Sequence, residues 1–260
     1  MQDNYRFVTV EISESIAVVK LSNPPYHDLT REVFKDVEKL FNNLDINTQV
    51  KAVILTSDSE RYFCNGLSPD YVLGCNLEEK KEIFRSLFET CIAVYGFSKP
   101  LLCAINGHAM AGGAVLASLA DWRFIAEGKA RFSFTEVAVG LPIPHELIKI
   151  GESFINRSFI RKTFMESYIY KPEEALEAGI ADRVVQPEVL LKESIQFISA
   201  KLKNLSLPAM IEVKRQMRFE ILENLKHIEK RIASFDIYLQ GDFIEGLQAV
   251  KERRRPFYKN

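Results

Sequence analysis

Residues 103–121 read CAINGHAMAGGAVLASLAD, and the rest of the chain is organised around this segment. An apolar, β-rich run, Leu101–Ile105, leads into the Asn106-Gly107 turn, and Gly112-Gly113 are then followed by a helical run that contains Val115, Leu116 and Leu119. A strand, a glycine-rich turn and a helix N-terminus in this order bring unpaired backbone N–H groups together, and the helix dipole adds partial positive charge. The stretch therefore predicts a site for a negative group, which is a phosphate, a carboxylate or a transient oxyanion.

The spacing of Gly107 and Gly112 matches that of a phosphate-binding P-loop. However, Gly113 and Ala114 stand where such a loop needs Lys and Ser or Thr, so nucleotide hydrolysis is disfavoured. The chain also lacks the GxGxxG dinucleotide pattern and the GxSxG elbow of serine hydrolases. Taken alone, the glycines are explained equally well by close packing of a helix on a strand.

The composition is that of a soluble globular protein, with 47% hydrophobic and 27% charged residues. The net charge of −1 gives no broad basic surface for nucleic acid or an anionic membrane. No apolar run approaches the roughly 20 residues of a membrane span, and no signal peptide is visible. The cysteines show no CxxC pair and no metal-type spacing; they are Cys64, Cys75, Cys91 and Cys103. We therefore expect a cytoplasmic protein with no nucleic-acid or membrane partner.

Strand-like and helix-like runs alternate through the first half of the chain, which predicts an α/β unit with parallel strands. Thr30 is the predicted N-cap of the first helix, and residues 57–70 are predicted to form a polar loop. The other predicted elements are a hairpin of residues 7–12 and 16–21, strands at 52–56, 101–105 and 122–126, and a helix at 78–97.

The second half is predicted to be mainly helical, with one short strand at Val184-Val185. Apolar residues from Met210 to Leu239 recur at helical spacing, which is typical of a core or a subunit interface. The predicted domains are a core of residues 1–200 and a C-terminal helical region of residues 201–260. The predicted helices cover residues 143–167, 172–178, 187–204, 208–239 and 242–254.

Three segments follow one another in the order found in one enzyme family. Residues 63–67 (FCNGL) are similar to its F-x-x-G-x loop, residues 106–113 (NGHAMAGG) to its N-G-x-A-x-G-G-G turn, and residues 131–141 (RFSFTEVAVGL) to its F-x-x-x-E-x-x-x-G segment. With further similarity at 172–185 and 242–257, the chain resembles the crotonase (enoyl-CoA hydratase/isomerase) superfamily over nearly its whole length. The resemblance implies a spiral of ββα units with a C-terminal helical region that drives assembly into a homotrimer or a dimer of trimers.

The resemblance also implies the substrate and the site. The substrate would be an acyl-CoA thioester of fatty-acid metabolism, with coenzyme A as part of the substrate and no metal or redox cofactor needed. The backbone N–H groups of Leu67 and Gly112 would hold the thioester oxygen, and Glu136 would move a proton. Apolar neighbours of Glu136 in the sequence predict a raised carboxyl pKa. Further substrate-binding residues implied by the motifs are Cys64, Asn65, Gly66, Ser68, Gly113 and Leu141.

The position three residues after Gly112 decides between reactions. Hydratases of the family have a glutamate there as well as at the position of Glu136, and this chain has Val115. One carboxylate can move a proton from C2 to C4 of a 3-enoyl-CoA, and the chain most resembles Δ3,Δ2-enoyl-CoA isomerases. Two alternatives stay open: an enoyl-CoA hydratase or other lyase that uses a second acid from elsewhere, and a catalytically inactive CoA-thioester binding protein.

Several other polar residues have weaker interpretations. His108 is interpreted as a structural or surface residue, and Asp121 as a partner for an Arg or a helix end. His145 is a candidate for the acyl pocket, and the turn at residues 26–29 for contacts with CoA. The basic run 251–255 is typical of a solvated helix end, although in the family this end approaches CoA phosphates of a neighbouring subunit.

Overall fold

The computed structural model describes residues 5–258. It contains a six-stranded sheet in the order β1-β2-β3-β5-β7-β9 and a three-stranded sheet in the order β4-β6-β8. Among the strand pairs of these described residues, β1–β2 is antiparallel and the other pairs are parallel. The strands are β1 Val8–Ser13, β2 Ile16–Leu21, β3 Ala52–Ser57, β4 Tyr62–Cys64, β5 Leu101–Ile105, β6 His108–Met110, β7 Trp122–Ala126, β8 Phe132–Ser133 and β9 Arg183–Val185.

Successive strand pairs divide between the two sheets. In the pairs β3–β4, β5–β6 and β7–β8, the first strand joins the large sheet and the second joins the small one. Each pair leads into helical structure, so the predicted α/β fold with a spiral of ββα units is confirmed. The helices are α1 Arg31–Ile46, α2 Pro69–Leu73, α3 Leu77–Tyr95, α4 Gly112–Ser118, α5 His145–Glu152, α6 Ile160–Phe164, α7 Pro172–Glu177, α8 Leu190–Asn204, α9 Leu207–Leu225, α10 Ile228–Phe235 and α11 Asp242–Glu252.

The central strands and the first helix form for local reasons that the sequence displays. Every residue of β3 and β5 is buried, as expected for parallel strands that are covered on both faces. The Thr30 side chain accepts a hydrogen bond from the Val33 N–H and caps α1, which confirms the predicted helix start. Within the described residues, no helix is both long enough and apolar enough to cross a membrane.

The sequence patterns missed the small sheet, and its strands β4 and β6 show why. The predicted loop at 57–70 contains β4 and the start of α2, and β6 lies between the Asn106-Gly107 turn and Gly112. Each of these strands has only three residues, too few to show alternation. They form because parallel pairing across the small sheet stabilises them, and that pairing joins segments that are far apart in the sequence.

Two of the predicted long helices are wrong as single elements. The run 143–167 is α5, a 3-10 turn and α6, because Asn156 turns the chain and bonds to the carbonyls of Glu177 and Ala178. The run 208–239 breaks after Leu225, and α10 then packs Phe235 against Phe84 and Phe88 of α3. The apolar stripe consequently does not form one buried face.

Asp121 links α9 to the large sheet through hydrogen bonds and ion pairs. Its carboxylate accepts hydrogen bonds from the Leu101 N–H at 2.8 Å, Lys214 Nζ at 2.8 Å and Arg218 Nη2 at 2.6 Å. The predicted pairing of Asp121 with an Arg is therefore confirmed. The domain division at residue 200 stays a prediction; α8 lies on the central strands, and α9 begins at Leu207.

Candidate active site

The N-terminus of α4 lies directly on the loop that follows β4. A Cβ on Gly113 would lie 2.1 Å from the Cys64 carbonyl oxygen, and one on Gly66 would lie 3.2 Å from the Gly112 nitrogen. Glycine is required at Gly113 because no side chain fits between these two backbones. The packing brings together two segments that are more than 40 residues apart in the sequence and places the loop ahead of Leu67 against Gly112.

Two backbone donors at this junction are unused in the described part of the chain. Gly112 is the first residue of α4, so its N–H has no intrahelical acceptor. Leu67 pairs with Leu29 as an isolated parallel bridge, but the bonds of that bridge use the Gly66 carbonyl (2.7 Å) and the Ser68 N–H (3.3 Å). The Leu67 N–H therefore points away from Leu29. Two free donors on adjoining backbones are what an oxyanion site requires.

Ala111, immediately before α4, has an unusual backbone conformation. Its φ of +46° and ψ of −120° are unfavourable for a residue with a side chain. Its N–H donates to the Ser133 carbonyl at 2.8 Å, and its carbonyl accepts from the Val115 N–H at 2.9 Å. These bonds to β8 and α4 hold the strained residue and so fix the direction of the next N–H, that of Gly112.

Glu136 is a buried carboxyl in an apolar setting. It is 8% exposed, and its Oε2 atom is buried without a hydrogen-bond partner. Desolvation raises its pKa to about 7, in agreement with the apolar neighbours seen in the sequence. A carboxyl with this pKa exchanges a proton readily at neutral pH, as a general base must.

Val115 lies one turn into α4 and is 2% exposed. The side chain at this position is therefore an aliphatic group packed in the core. In the described residues, the acidic side chains that bury an oxygen without a partner are those of Asp28, Glu136 and Asp236. Among these three, Glu136 is the one that follows the family's motif.

A polar cleft of about 540 Å³ opens beside the loop after β4. It combines aromatic rings, two acids and three basic side chains, and it brings together segments from both ends of the chain. Its principal lining residues are Tyr26, Asp28, Tyr62, Asn65, Ser68, Asp70, His108, Met110, Arg131, Lys251 and Arg253. A second cavity of about 570 Å³ lies between α9 and the start of β7. Neither Glu136 nor Leu67 is among the residues that line these two cavities.

Burial shifts the pKa values of two titratable groups in the polar cleft, Asp28 and His108. Burial raises the pKa of Asp28, although a hydrogen bond from Asn65 opposes the shift. Burial lowers the pKa of His108, and the positive charges of Arg61 and Arg131 lower it further. His108 therefore presents a neutral imidazole to the cleft at neutral pH.

Only some of the binding residues predicted from the sequence line the polar cleft. Asn65 and Ser68 line the cleft, whereas the Cys64 side chain is fully buried and its thiol pKa is raised to about 12 by burial. Leu141 is buried beside Glu136, and its N–H donates to the Glu136 carbonyl at 2.9 Å. His145 is exposed at the first residue of α5 and lines neither cavity.

Some cleft residues had no sequence signal. Tyr62 and Arg131 each stand directly before a motif residue, yet no spacing rule marks them as binding residues. They meet because β4 and β8 both pair with β6, and the pairing of three-residue strands is not readable from periodicity. Among residues 5–258, no three His, Cys, Asp or Glu side chains are grouped so as to bind a metal ion.

Comparisons with known proteins agree on one family. The model of the family described as enoyl-CoA hydratase/isomerase matches residues 11–260. The mitochondrial enoyl-CoA delta isomerase 1 of Mus musculus is 27% identical over 240 residues, which cover 92% of this chain and 83% of the mouse protein. A probable enoyl-CoA hydratase of Mycobacterium tuberculosis is 29% identical over 188 residues, 70% of this chain and 71% of that protein. The crystal structure of human mitochondrial delta3-delta2-enoyl-CoA isomerase superimposes with a TM-score of 0.90 at 26% identity, covering 95% of this chain and 98% of that one.

Proposed function

Because the chain belongs to the enoyl-CoA hydratase/isomerase family, we propose that it moves the double bond of a 3-enoyl-CoA to the trans-2 position. The family match and the relatives identify an enzyme of enoyl-CoA isomerase or hydratase type that acts on acyl-CoA. The proposal specifies which of these reactions takes place and which residues carry it.

The observation that carries the proposal is one buried carboxyl where a hydratase has two. Glu136 has an unpartnered oxygen and a pKa of about 7, and the side chain at the other motif position is the buried, aliphatic Val115. A single carboxyl cannot easily both activate a water molecule and hold it for addition to a double bond. It can take a proton from one carbon atom and return it to another, which is all that isomerisation requires.

In the proposed mechanism, the thioester oxygen accepts hydrogen bonds from the N–H groups of Leu67 and Gly112. Ionised Glu136 removes a proton from C2, and the electron pair delocalises into a dienolate whose negative charge rests on the thioester oxygen. The protonated Glu136 then donates the same proton to C4, so the C3–C4 double bond is replaced by a C2–C3 double bond. No water is consumed. Each oxyanion donor is typically worth roughly 2.7–4 kcal/mol in related acyl chemistry.

The CoA part of the substrate is proposed to bind in the polar cleft. Its polar loop residues, Asn65 and Ser68, adjoin the oxyanion donor at Leu67, and Gly66 and Gly113 allow close approach of the backbone. Arg131, Lys251 and Arg253 supply positive charge for phosphate groups, all from the same chain.

The assembly and cellular setting are further parts of the proposal. The exposed apolar residues Val213 and Met217 on α9 offer a surface for a homotrimer or a dimer of trimers, which light scattering would detect. The reaction as written needs no cofactor beyond the coenzyme A in its substrate. The cytoplasmic setting stays a prediction; the mouse and rat relatives are named as mitochondrial proteins.

One assay separates the candidate functions. Wild-type protein is mixed in turn with a 3-enoyl-CoA and with a trans-2-enoyl-CoA, and the conjugated enoyl-thioester absorbance is followed. We expect a rise with the first substrate, no water-dependent loss with the second, and no turnover by Glu136→Gln although acyl-CoA still binds. Hydration of the 2-enoyl-CoA without isomerisation would favour a hydratase. Tight binding without any turnover would favour a catalytically inactive binding protein.

A further inference from the structure

The turn that follows Glu136 is held by two hydrogen bonds from other segments, and both are made to the backbone of one residue, Ala138. Residues Val137–Val139 form a 3-10 turn directly after Glu136. The Ala138 N–H donates to Ser167 Oγ at 3.2 Å, and the Ala138 carbonyl accepts from the Tyr258 hydroxyl at 2.7 Å. Both contacts reach Ala138 from segments far along the chain, so the orientation of this turn is set by long-range contacts.

The last helix lies against the same turn with backbone contacting backbone. A Cβ on Gly246 of α11 would lie 2.4 Å from the Val139 carbonyl oxygen. On the other side of the contact, a Cβ on Gly140 would lie 2.6 Å from the backbone of Asp242. Since no side chain separates the two segments, a shift of α11 or of the tail after it moves the turn directly.

Two contacts of Glu245 hold the chain after α11 against that helix, and they position Tyr258. The Glu245 carboxylate accepts from the Phe257 N–H at 2.7 Å and pairs with the Arg254 guanidinium at 2.5 Å. Both contacts hold the pKa of Glu245 at about 2, so the carboxylate stays charged over the whole working range. Lys251 pairs with Asp70 at 2.6 Å and joins α11 to α2, the helix that follows Ser68.

We propose that Tyr258 and Ser167 are positioning residues that hold the backbone of Ala138 and thereby keep the Glu136 carboxyl buried and directed at the substrate. The inference rests on the proposed role of Glu136 as the base. Without the two hydrogen bonds, the turn gains freedom and the carboxyl gains access to water. Burial raises the pKa of Tyr258, so its hydroxyl remains a donor at the pH at which Glu136 exchanges its proton.

The first test is Tyr258→Phe, which removes only the hydroxyl. We expect kcat for isomerisation to fall about tenfold with an unchanged KM, because the base is displaced while the CoA cleft is intact. The acid limb of the pH profile of kcat should move from about 7 toward the ordinary 4.5 of a glutamate. Ser167→Ala should change kcat and the pH profile in the same direction. Tyr238→Phe is the matched control, since that hydroxyl makes no hydrogen bond within residues 5–258, and it should leave both unchanged.

The shift of the pH profile reports on Glu136 because the other charged groups near the turn are left in place. Those groups are Asp242, Glu245 and Arg254 on α11 and its tail, and Glu166 beside Ser167. None of them is altered by Tyr258→Phe.

A second readout does not depend on which reaction the enzyme catalyses. The Glu136 carboxyl is titrated by ¹³C NMR, with its signal assigned by its loss in Glu136→Gln. A lower pKa in Tyr258→Phe than in wild type supports the proposal even if the wild type fails to isomerise 3-enoyl-CoA, a failure that would overturn only the proposed function. If Tyr258→Phe lowers the unfolding midpoint but leaves kcat and the Glu136 pKa at wild-type values, Tyr258 is merely structural and the proposal is wrong.

Discussion

Replacing Glu136 with Gln should make the protein more stable above neutral pH while abolishing turnover. Burial raises the Glu136 pKa to about 7, whereas the carboxyl of an unfolded chain ionises near 4.5. Between these two values the native state retains a proton that the unfolded state has lost, so the free energy of unfolding falls as the pH rises through this window. Above about pH 7 the native state must hold a buried charge, and the penalty is complete.

The size of this penalty follows from the two pKa values. Their difference corresponds to about 3 kcal/mol, a large share of the 5–15 kcal/mol that stabilises a typical domain. Glutamine has nearly the same shape and cannot ionise. The variant should therefore avoid this penalty, and its gain in free energy of unfolding over wild type should depend on pH.

Urea unfolding of wild type and Glu136→Gln at about pH 5 and about pH 8.5 measures the effect. The two proteins should differ by less than about 1 kcal/mol at the lower pH and by about 3 kcal/mol at the higher pH. Glu60→Gln is the matched control, because Glu60 is exposed, and it should show no such dependence. If Glu136→Gln is no more stable than wild type at the higher pH, or if the gain is the same at both, the carboxyl is not a buried group poised near neutrality.

Three further substitutions test other parts of the account. Ala111→Gly should raise the free energy of unfolding by about 0.5–1 kcal/mol, because relief of the positive-φ strain exceeds the entropy cost of glycine; a loss of stability in urea would contradict this. Asp121→Asn should cost about 3 kcal/mol, since the buried Lys214 and Arg218 lose their shared counter-charge, and an unchanged unfolding midpoint would show that the cluster is not needed. Val115→Glu should lower stability and confer measurable hydration of a 2-enoyl-CoA; hydration equally fast in wild type would show that this position does not select the reaction.

The large sheet and the first helix could be predicted because their signals are local. The Thr30 cap and the short apolar run at residues 52–56 each determine their own structure. The strands β4 and β6 could not be predicted, because three residues are too few to show an alternating pattern and because both strands depend on partners that are distant in the sequence. The break after Leu225 was also hidden, because the aromatic contacts of Phe235 with α3 override a continuous helical pattern.

The candidate site, too, contains residues that the sequence predicts and residues that it does not. The spacing of Leu67, Gly112 and Glu136 in three motifs could be read from the sequence, and the structure adds the free N–H groups and the buried carboxyl oxygen. The contacts of Ser167 and Tyr258 with Ala138 could not be read, because a hydroxyl that bonds to a backbone group leaves no spacing pattern. Supporting contacts of this kind become visible only when the folded chain brings the segments together.

The proposed mechanism requires that Glu136 carry one proton from C2 to C4 of a 3-enoyl-CoA. The most direct measurement uses a 3-enoyl-CoA deuterated at C2, with mass spectrometry and NMR locating the label in the product. We expect trans-2-enoyl-CoA with deuterium at C4 from wild type and no product from Glu136→Gln. A 3-hydroxyacyl-CoA product, or label transfer that persists without the Glu136 carboxyl, would contradict it.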